Sequence, residues 1–327
     1  MHAMCLCGQV REGLSEYREN GMSAVAETVN TPDDGQKSFR LHDRPVTARP
    51  IEPALYLVAT PIGNLSDITL RALEVLAGAD VLACEDTRVT RVLLDRYGIT
   101  TRPYAYHEYN AEEVGPKLIE ALASGKSVAL VSDAGTPLVS DPGYRLAKLA
   151  IEAGLRVVPL PGPSAPLAAL VGSGLPNDAF LFAGFLPTKD KARRDRLAQW
   201  AATPATLIFF ESPHRIGATL AAAAEVLGAE RSACVCRELT KTFEEFRRGT
   251  LAELSDWYDD ERQVKGEIVL VVGPPLPSGP PDAADVDRLL VQLAQTLPTA
   301  GAATEAARQT GLPRKDLYQR LLELKAG

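Results

Sequence analysis

The feature that most restricts the fold of this chain is a repeated alternation between residues 54 and 273. Short apolar runs leave through Pro-, Gly- and Asp-rich turns into helical patterns. ALYLVATPIGN gives a buried strand and a sharp exit. SDITLRALEVLAGAD gives a helix that Ser66 or Asp67 can cap, with Leu70, Leu73 and Leu76 at helical spacing and Gly78 as its stop. ADVLACEDTR, SVALVSD and LRVVPLPG are further strands, and TRVTRVLLDRYG, VGPKLIEALASG and GYRLAKLAIEAG further helices. Strands alternating with helices over short links predict an α/β architecture with a largely parallel sheet.

A Pro/Gly junction, PGPSAPLAALVGSGLP, then precedes a second round. AFLFAGFLP, ATLIFFES, RSACVCREL and GEIVLVVG read as strands. KARRDRLAQWAA and RIGATLAAAAEVLG read as helices, and FEEFRRGTLAELSDWYDD as mostly helix. Antiparallel pairing is open in this half. The expected organisation is an N-terminal extension without order over 1–52, an α/β domain over 53–162 and a second over 163–273. A stiff Pro-rich linker follows at 274–281 and a tail of three short helices at 282–327. Met22 offers a second initiation point in the extension. The tail has the cadence of a helix-turn-helix, and equally of a helical cap with a solvated basic face.

In open α/β sheets, ligands bind beyond the carboxyl ends of the strands. Six unusual loops fall there: TPIGNLSD, CEDTRVT, SDAGTPLVSDPG, LPGPSA, FESPHR and RELTKTFEE. None is a Walker A loop, and no GxGxxG follows the first strand, which disfavours nucleotide triphosphates and a dinucleotide fold. In SDAGTPLVSDPG, Ala134 and Gly135 let backbone approach a ligand closely and Pro137 stiffens the turn. Such a cradle suits a polar, amphipathic ligand such as an adenosine or an amino acid. Asp141 before Pro142 reads as a helix start. In CEDTR, Asp86 or Thr87 can cap the next helix. In ESPHR, His214 is either a general base or a solvated helix start, and Arg215 a phosphate binder.

LPTKDKARRDR gathers Lys189, Lys191, Arg193, Arg194 and Arg196 at a helix start, against the helix dipole, which favours an anionic partner there. The net charge of −7 argues against broad nonspecific nucleic-acid binding, though not against such a local patch. The five cysteines and four histidines do not cluster into a metal-ligand pattern. Cys234 and Cys236 share one face of a strand and read as core. No apolar run is long enough to span a membrane and no secretory signal is evident, so a soluble cytoplasmic protein is expected.

YLVATPIGNLSDITLRALEVLAGADVLACEDTR, VSDAGTPLVSDPG, PGPSA, FAGFLP, FFESPHR and KGEIVLVV, in this order, resemble the bacterial 16S ribosomal RNA cytidine 2′-O-methyltransferases of the tetrapyrrole methylase superfamily. The likeness covers residues 54 to about 273, and the helical tail fits it. It implies two α/β domains with S-adenosylmethionine in the cleft between them, and a homodimer. It also implies a substrate, cytidine 1402 in the decoding centre of 16S ribosomal RNA on the 30S subunit.

By the same resemblance, Asp133, Ala134, Gly135, Thr136 and Pro137 form part of the cofactor cradle. Val139, Ser164, Ala165, Phe210 and Glu211 border it. A base or hydrogen-bond acceptor for the ribose hydroxyl would come from Glu85, Asp86, His214 or Glu267. Arg88, Arg215 and Lys241, with Lys189, Lys191, Arg193 and Arg194, would face RNA. Two other readings compete: C-methylation of a tetrapyrrole, and a non-enzymatic ribosome-assembly protein. The basic loop and the tail favour RNA methylation.

Overall fold

The computed structural model describes residues 37–42, 44–138, 143–259, 264–276 and 283–326. Strands β3 (Leu55–Val58), β4 (Val81–Cys84), β5 (Pro103–Ala105), β6 (Val128–Val131) and β7 (Val157–Leu160) form one sheet in the order β5-β4-β6-β3-β7. Every pairing in it is parallel. Apolar runs buried on both faces require helices on both sides. Helices α1 (Leu70–Gly78) and α2 (Thr87–Arg96) lie against one face. Helices α3 (Ala111–Ala123) and α4 (Tyr144–Glu152) lie against the other.

The second sheet has the order β11-β10-β12-β9-β8, from β8 (Phe180–Phe185), β9 (Thr206–Glu211), β10 (Ser232–Arg237), β11 (Glu245–Thr250) and β12 (Ile268–Val272). Only β8 and β9 run parallel, and the other pairings are antiparallel. Helix α5 (Ala165–Ser173) covers one face, over Cys234 and Cys236, which are fully buried with their sulfurs 3.7 Å apart. Helices α6 (Asp190–Trp200), α7 (Ile216–Leu227) and α8 (Leu251–Trp257) cover the other. The tail is α9 (Ala283–Ala294), α10 (Thr299–Thr310) and α11 (Arg314–Ala326), closed around its own core of Leu290, Ala302, Ala306 and Leu317.

Three local expectations are corrected. Residues 38–47 are not without order: β1 (Ser38–Leu41) and β2 (Arg44–Thr47) pair as a hairpin. Its Phe39 is buried against the first core, the Arg40 amide donates to Tyr97 O, and Lys37 Nζ donates to Gly78 O at the end of α1. One deep anchor in a charged stretch is too little for a periodic signal. Residues 1–36 of the extension lie outside the described residues.

The segment expected as mostly helix opens instead with β11. There Phe246 and Arg248 face α5 while Glu245 and Arg247 face α8, with the Arg247 guanidinium 3.5 Å from the Trp257 ring centre. Charges on both faces hide the period of two. Helix α8 then starts at a capping box of Thr250 and Glu253. Finally, α1 is capped by Thr69, whose hydroxyl accepts from the Ala72 amide, while Ser66 and Asp67 lie in a preceding 3₁₀ turn.

Asp80 ties α1 to the start of β6. Its carboxylate accepts from the Ser127 amide at 2.9 Å and hydroxyl at 2.7 Å. The Ser127 amide, opposed by partial burial and helped by the Ser127 hydroxyl and Lys37, holds this carboxyl below the ordinary aspartate range. A depressed carboxyl stabilises the fold above its unfolded-state value, and that contribution disappears as pH falls through its folded value. Asp80→Asn is therefore expected to lower Tm at neutral pH, with the gap from the parent protein closing as pH falls below the ordinary aspartate range, read by thermal melts across pH.

Candidate active site

The exits of β3, β6 and β7 are bonded into one shelf. Thr60 and Gly135 exchange both backbone hydrogen bonds, each 2.9 Å, and the Thr60 hydroxyl donates to Ser132 O. Gly135 sits at φ +82°, a conformation that glycine supplies without steric cost. The Thr136 hydroxyl donates to Pro163 O at 3.0 Å, joining SDAGTP to PGPSA. The second sheet brings up the ends of β8 and β9 and the start of β12, which the antiparallel pairing of β9 and β12 places at the same edge.

Between shelf and sheet lies a cleft of about 390 Å³. Ala134, Gly135, Thr136, Ser164, Ala165, Phe210, Glu211 and Glu267 all line it, so seven of the residues implied for the cofactor meet there with one of the implied acceptors. Pro137 is buried behind this wall. Asp133 faces a second, adjoining cavity of about 320 Å³, between the TPIGN loop and α2, which shares Ile62 and Ala134 with the first. Its carboxylate accepts from the Asp86 amide at 2.9 Å. Val139 and the Asp141-Pro142 helix start lie outside the described residues.

The structure also places residues that sequence reasoning left unassigned. Phe185, 61% exposed, holds its ring 5.4 Å from that of Phe210 at the cleft, and Ile62, Ser212, Pro213, Gly266 and Ile268 add to the wall. The motifs FAGFLP and KGEIVLVV carried Phe185 and Gly266. Nothing in them shows that both point into one cleft.

The charged groups sort by environment. Glu211 is buried and committed: it accepts from the Thr219 hydroxyl at 2.6 Å and the Ser212 amide at 2.8 Å, and it pairs with Arg215 at 3.3 Å. Arg215 also donates to Leu186 O at 2.7 Å, so it braces the β8 exit. Asp86 caps α2, and the Arg88 side chain and amide hold its carboxyl down to about 2, so it stays ionised at neutral pH. Arg88 closes back on Asp86. His214 is exposed and does not line the cleft. Glu85, at the end of β4, is partly buried outside both cavities.

Of the basic run, Lys189 and Lys191 are exposed. Arg193 is buried against Asp190, and Arg194 pairs with Asp190 and Glu225. The dipole mismatch at the start of α6 is thus partly neutralised within the fold.

Glu267 is 78% exposed at the cleft rim, and its carboxylate meets Lys241 Nζ at 3.2 Å. Lys241 also donates to Glu238 at 2.7 Å. Burial pulls the Lys241 ammonium down, but the Glu238 and Glu267 carboxylates outweigh it and raise it above the usual lysine value. Glu238 and Thr240 both adopt positive φ, +51° and +64°. The Thr240 hydroxyl accepts from the Asn64 amide at 3.1 Å, and a Cβ on Gly63 would sit 3.0 Å from Leu239 O. This strained loop joins the second domain to the TPIGN loop of the first.

Two α/β domains face each other across this cleft, with backbone-rich loops on one wall and an aromatic pair on the other, and the family match places this architecture among the tetrapyrrole-type methylases. The chain matches the tetrapyrrole (corrin/porphyrin) methylases over residues 54–255 and the RsmI C-terminal HTH domain over residues 280–325. A cobalt-precorrin-4 methyltransferase of cobalamin biosynthesis shares the fold, with a TM-score of 0.52 at 18% identity over 67% of this chain and 94% of its own.

Curated relatives named ribosomal RNA small subunit methyltransferase I include proteins from Mesorhizobium japonicum and Vibrio cholerae. The one from Mesorhizobium japonicum is 65% identical over 86% of this chain and 95% of its own length. The one from Vibrio cholerae is 49% identical over 83% and 95%. This chain belongs to the ribosomal RNA small subunit methyltransferase I family, and it is a methyltransferase.

Proposed function

We propose that the chain transfers the methyl group of S-adenosylmethionine to the ribose 2′-oxygen of a cytidine in 16S ribosomal RNA, cytidine 1402. We place it in the cytoplasm, acting on the assembled 30S subunit as a homodimer. The observation that carries this reading is the 65% identity to a ribosomal RNA small subunit methyltransferase I across nearly its whole length.

The cleft supports it chemically. Its volume falls within the range of small-molecule sites, roughly 300–1,000 Å³. The rings of Phe185 and Phe210 suit the adenine, and the backbone of Ala134, Gly135 and Thr136 suits the polar amino-acid end. S-adenosylmethionine, when bound there, supplies an electrophilic methyl: the carbon–oxygen bond forms as the carbon–sulfur bond breaks.

The protein's work is alignment and acceptance of one proton. The shelf of Thr60, Gly135, Thr136 and Pro163 fixes the cofactor side, and alignment of this kind is worth several kcal/mol of barrier. The adjoining cavity beside Asp133 admits the target ribose. Among Glu85, Asp86, His214 and Glu267, it is Glu267 that lines the cofactor cleft, and we assign it the hydrogen bond to the attacking hydroxyl. Lys189 and Lys191, at the start of α6, are the exposed cations that we assign to RNA phosphates.

Labelled S-adenosylmethionine offered with unmodified small subunits, and in parallel with protein-free 16S RNA, tests the reading. Label on a cytidine 2′-oxygen, favouring subunits, is expected. No label on either, with label on a tetrapyrrole, would sink it.

A further inference from the structure

We infer that Tyr104, Tyr109 and Tyr144, on the carboxyl edge of the first sheet, form a stacking surface for unpaired bases of the RNA strand that carries the target nucleotide. This rests on the RNA reading above and extends it to residues outside both cavities. The stretch PYAYHEYNA, 103–111, supplies the first two rings. Tyr106 is buried and anchors the segment, its amide donating to Cys84 O at 2.7 Å. Tyr104 is 51% exposed, Tyr109 97% and Tyr144 71%.

The loop bearing Tyr109 is built and fixed. Asn110 closes it three times: Oδ1 accepts from the His107 amide at 2.9 Å, Nδ2 donates to Ala105 O at 3.0 Å, and the Asn110 amide donates to His107 O at 3.1 Å. A loop this closed that leaves a phenol almost wholly in water does not use that ring for packing. Held ready, the ring loses little freedom on binding.

Arg102 lies 5.7 Å from the Tyr104 ring centre, and the His107 ring stands edge-on to Tyr109 at 6.1 Å. Tyr144 opens α4, and its neighbour Arg145 bridges to Glu112 in the first turn of α3, at 3.1 Å, linking the two helix starts. The surface is continuous with the active edge. The exit of β5 is bonded to that of β4, and Asp86 beyond β4 is bonded to Asp133 at the second cavity. Strand β5 lies two places from β6, roughly 10 Å at about 4.8 Å per strand, within reach of nucleotides next to one held at Asp133.

The chemistry favours bases over other occupants. Of the carboxylates on this segment, Glu112 is paired with Arg145 and Glu113 with Lys117, so the exposed ring faces, neutral themselves, are what the surface offers. Stacking on aromatic side chains is the usual way in which proteins hold unpaired RNA bases, and it tolerates any base.

The test uses the full chain with Tyr109→Ala and Tyr144→Ala combined. The KM for unmodified small subunits is expected to rise about tenfold or more, with kcat and affinity for S-adenosylhomocysteine unchanged and with the same salt slope. Tyr109→Trp in the Tyr144→Ala background should restore much of the loss. An unchanged KM, a loss of S-adenosylhomocysteine affinity, or a change in oligomeric state by light scattering overturns the inference. Quenching of a 2-aminopurine-labelled single-stranded oligoribonucleotide provides an arm independent of catalysis. It should weaken in the double variant, and equal quenching also overturns the inference. Failure of the RNA reading is distinguishable, because it shows as absence of methyl transfer by the unaltered protein.

Discussion

Gly266→Ala is expected to cut affinity for S-adenosylhomocysteine roughly hundredfold and to cut activity with it. Gly266 lines the cleft that we propose for the cofactor, at φ +95°, where a side chain is strained by about 1–2 kcal/mol. A Cβ there would lie 2.5 Å from the Glu238 carboxyl. That carboxylate cannot simply swing away. It accepts from Lys241 Nζ at 2.7 Å and from the Glu267 amide at 2.9 Å, and these bonds hold it below the ordinary glutamate range. Displacing Glu238 loses charge-assisted bonds worth about 1.5–3 kcal/mol each and releases Glu267, the rim carboxylate. A loss of about 3 kcal/mol corresponds to the hundredfold change. Calorimetric titration with S-adenosylhomocysteine reads it. Full affinity in the variant would show that the rim is not held this way.

Glu211→Ala is expected to act on stability first. The resemblance places Glu211 beside the cofactor, and it does reach the cleft wall, but its oxygens are already engaged by Thr219, Ser212 and Arg215. Truncation would leave the largely buried Arg215 guanidinium without its counter-charge, at a cost of about 3–5 kcal/mol. With about 2–4 °C per kcal/mol for a domain of this size, Tm should fall by roughly 6–20 °C. Glu211→Gln keeps the shape and loses the charge, so it should fall less. Scanning calorimetry with and without S-adenosylhomocysteine separates the roles. A large drop in ligand affinity with an unchanged Tm would mean that Glu211 works on the cofactor.

What the sequence could show depended on how far each signal reached along the chain. The parallel first sheet was legible because each buried strand is a short apolar run that ends at its own turn. The sharp turn at 133–137 was legible because Gly135 and Pro137 mark a constrained backbone wherever they fold. Strand β11 was not, because its charges are paid for by partners far off in sequence: Arg248 caps α5 through Ser173 O, and Arg247 lies on Trp257. The hairpin at 38–47 escaped for the same reason, resting on one phenylalanine that meets a core built by later residues.

The sequence by itself determined the class of fold, the family and the loops that leave the strand ends toward the cleft, since these rest on local pattern and contiguous motifs. Only the tertiary structure decided which charges remain available. It buried Arg193, committed Glu211 and Arg215 to each other, folded Arg88 back on Asp86, and left Glu267 at the rim and Tyr109 in water. Burial and pairing are set by residues tens to hundreds of positions apart, and the identity of a side chain carries no record of the partner that will neutralise it.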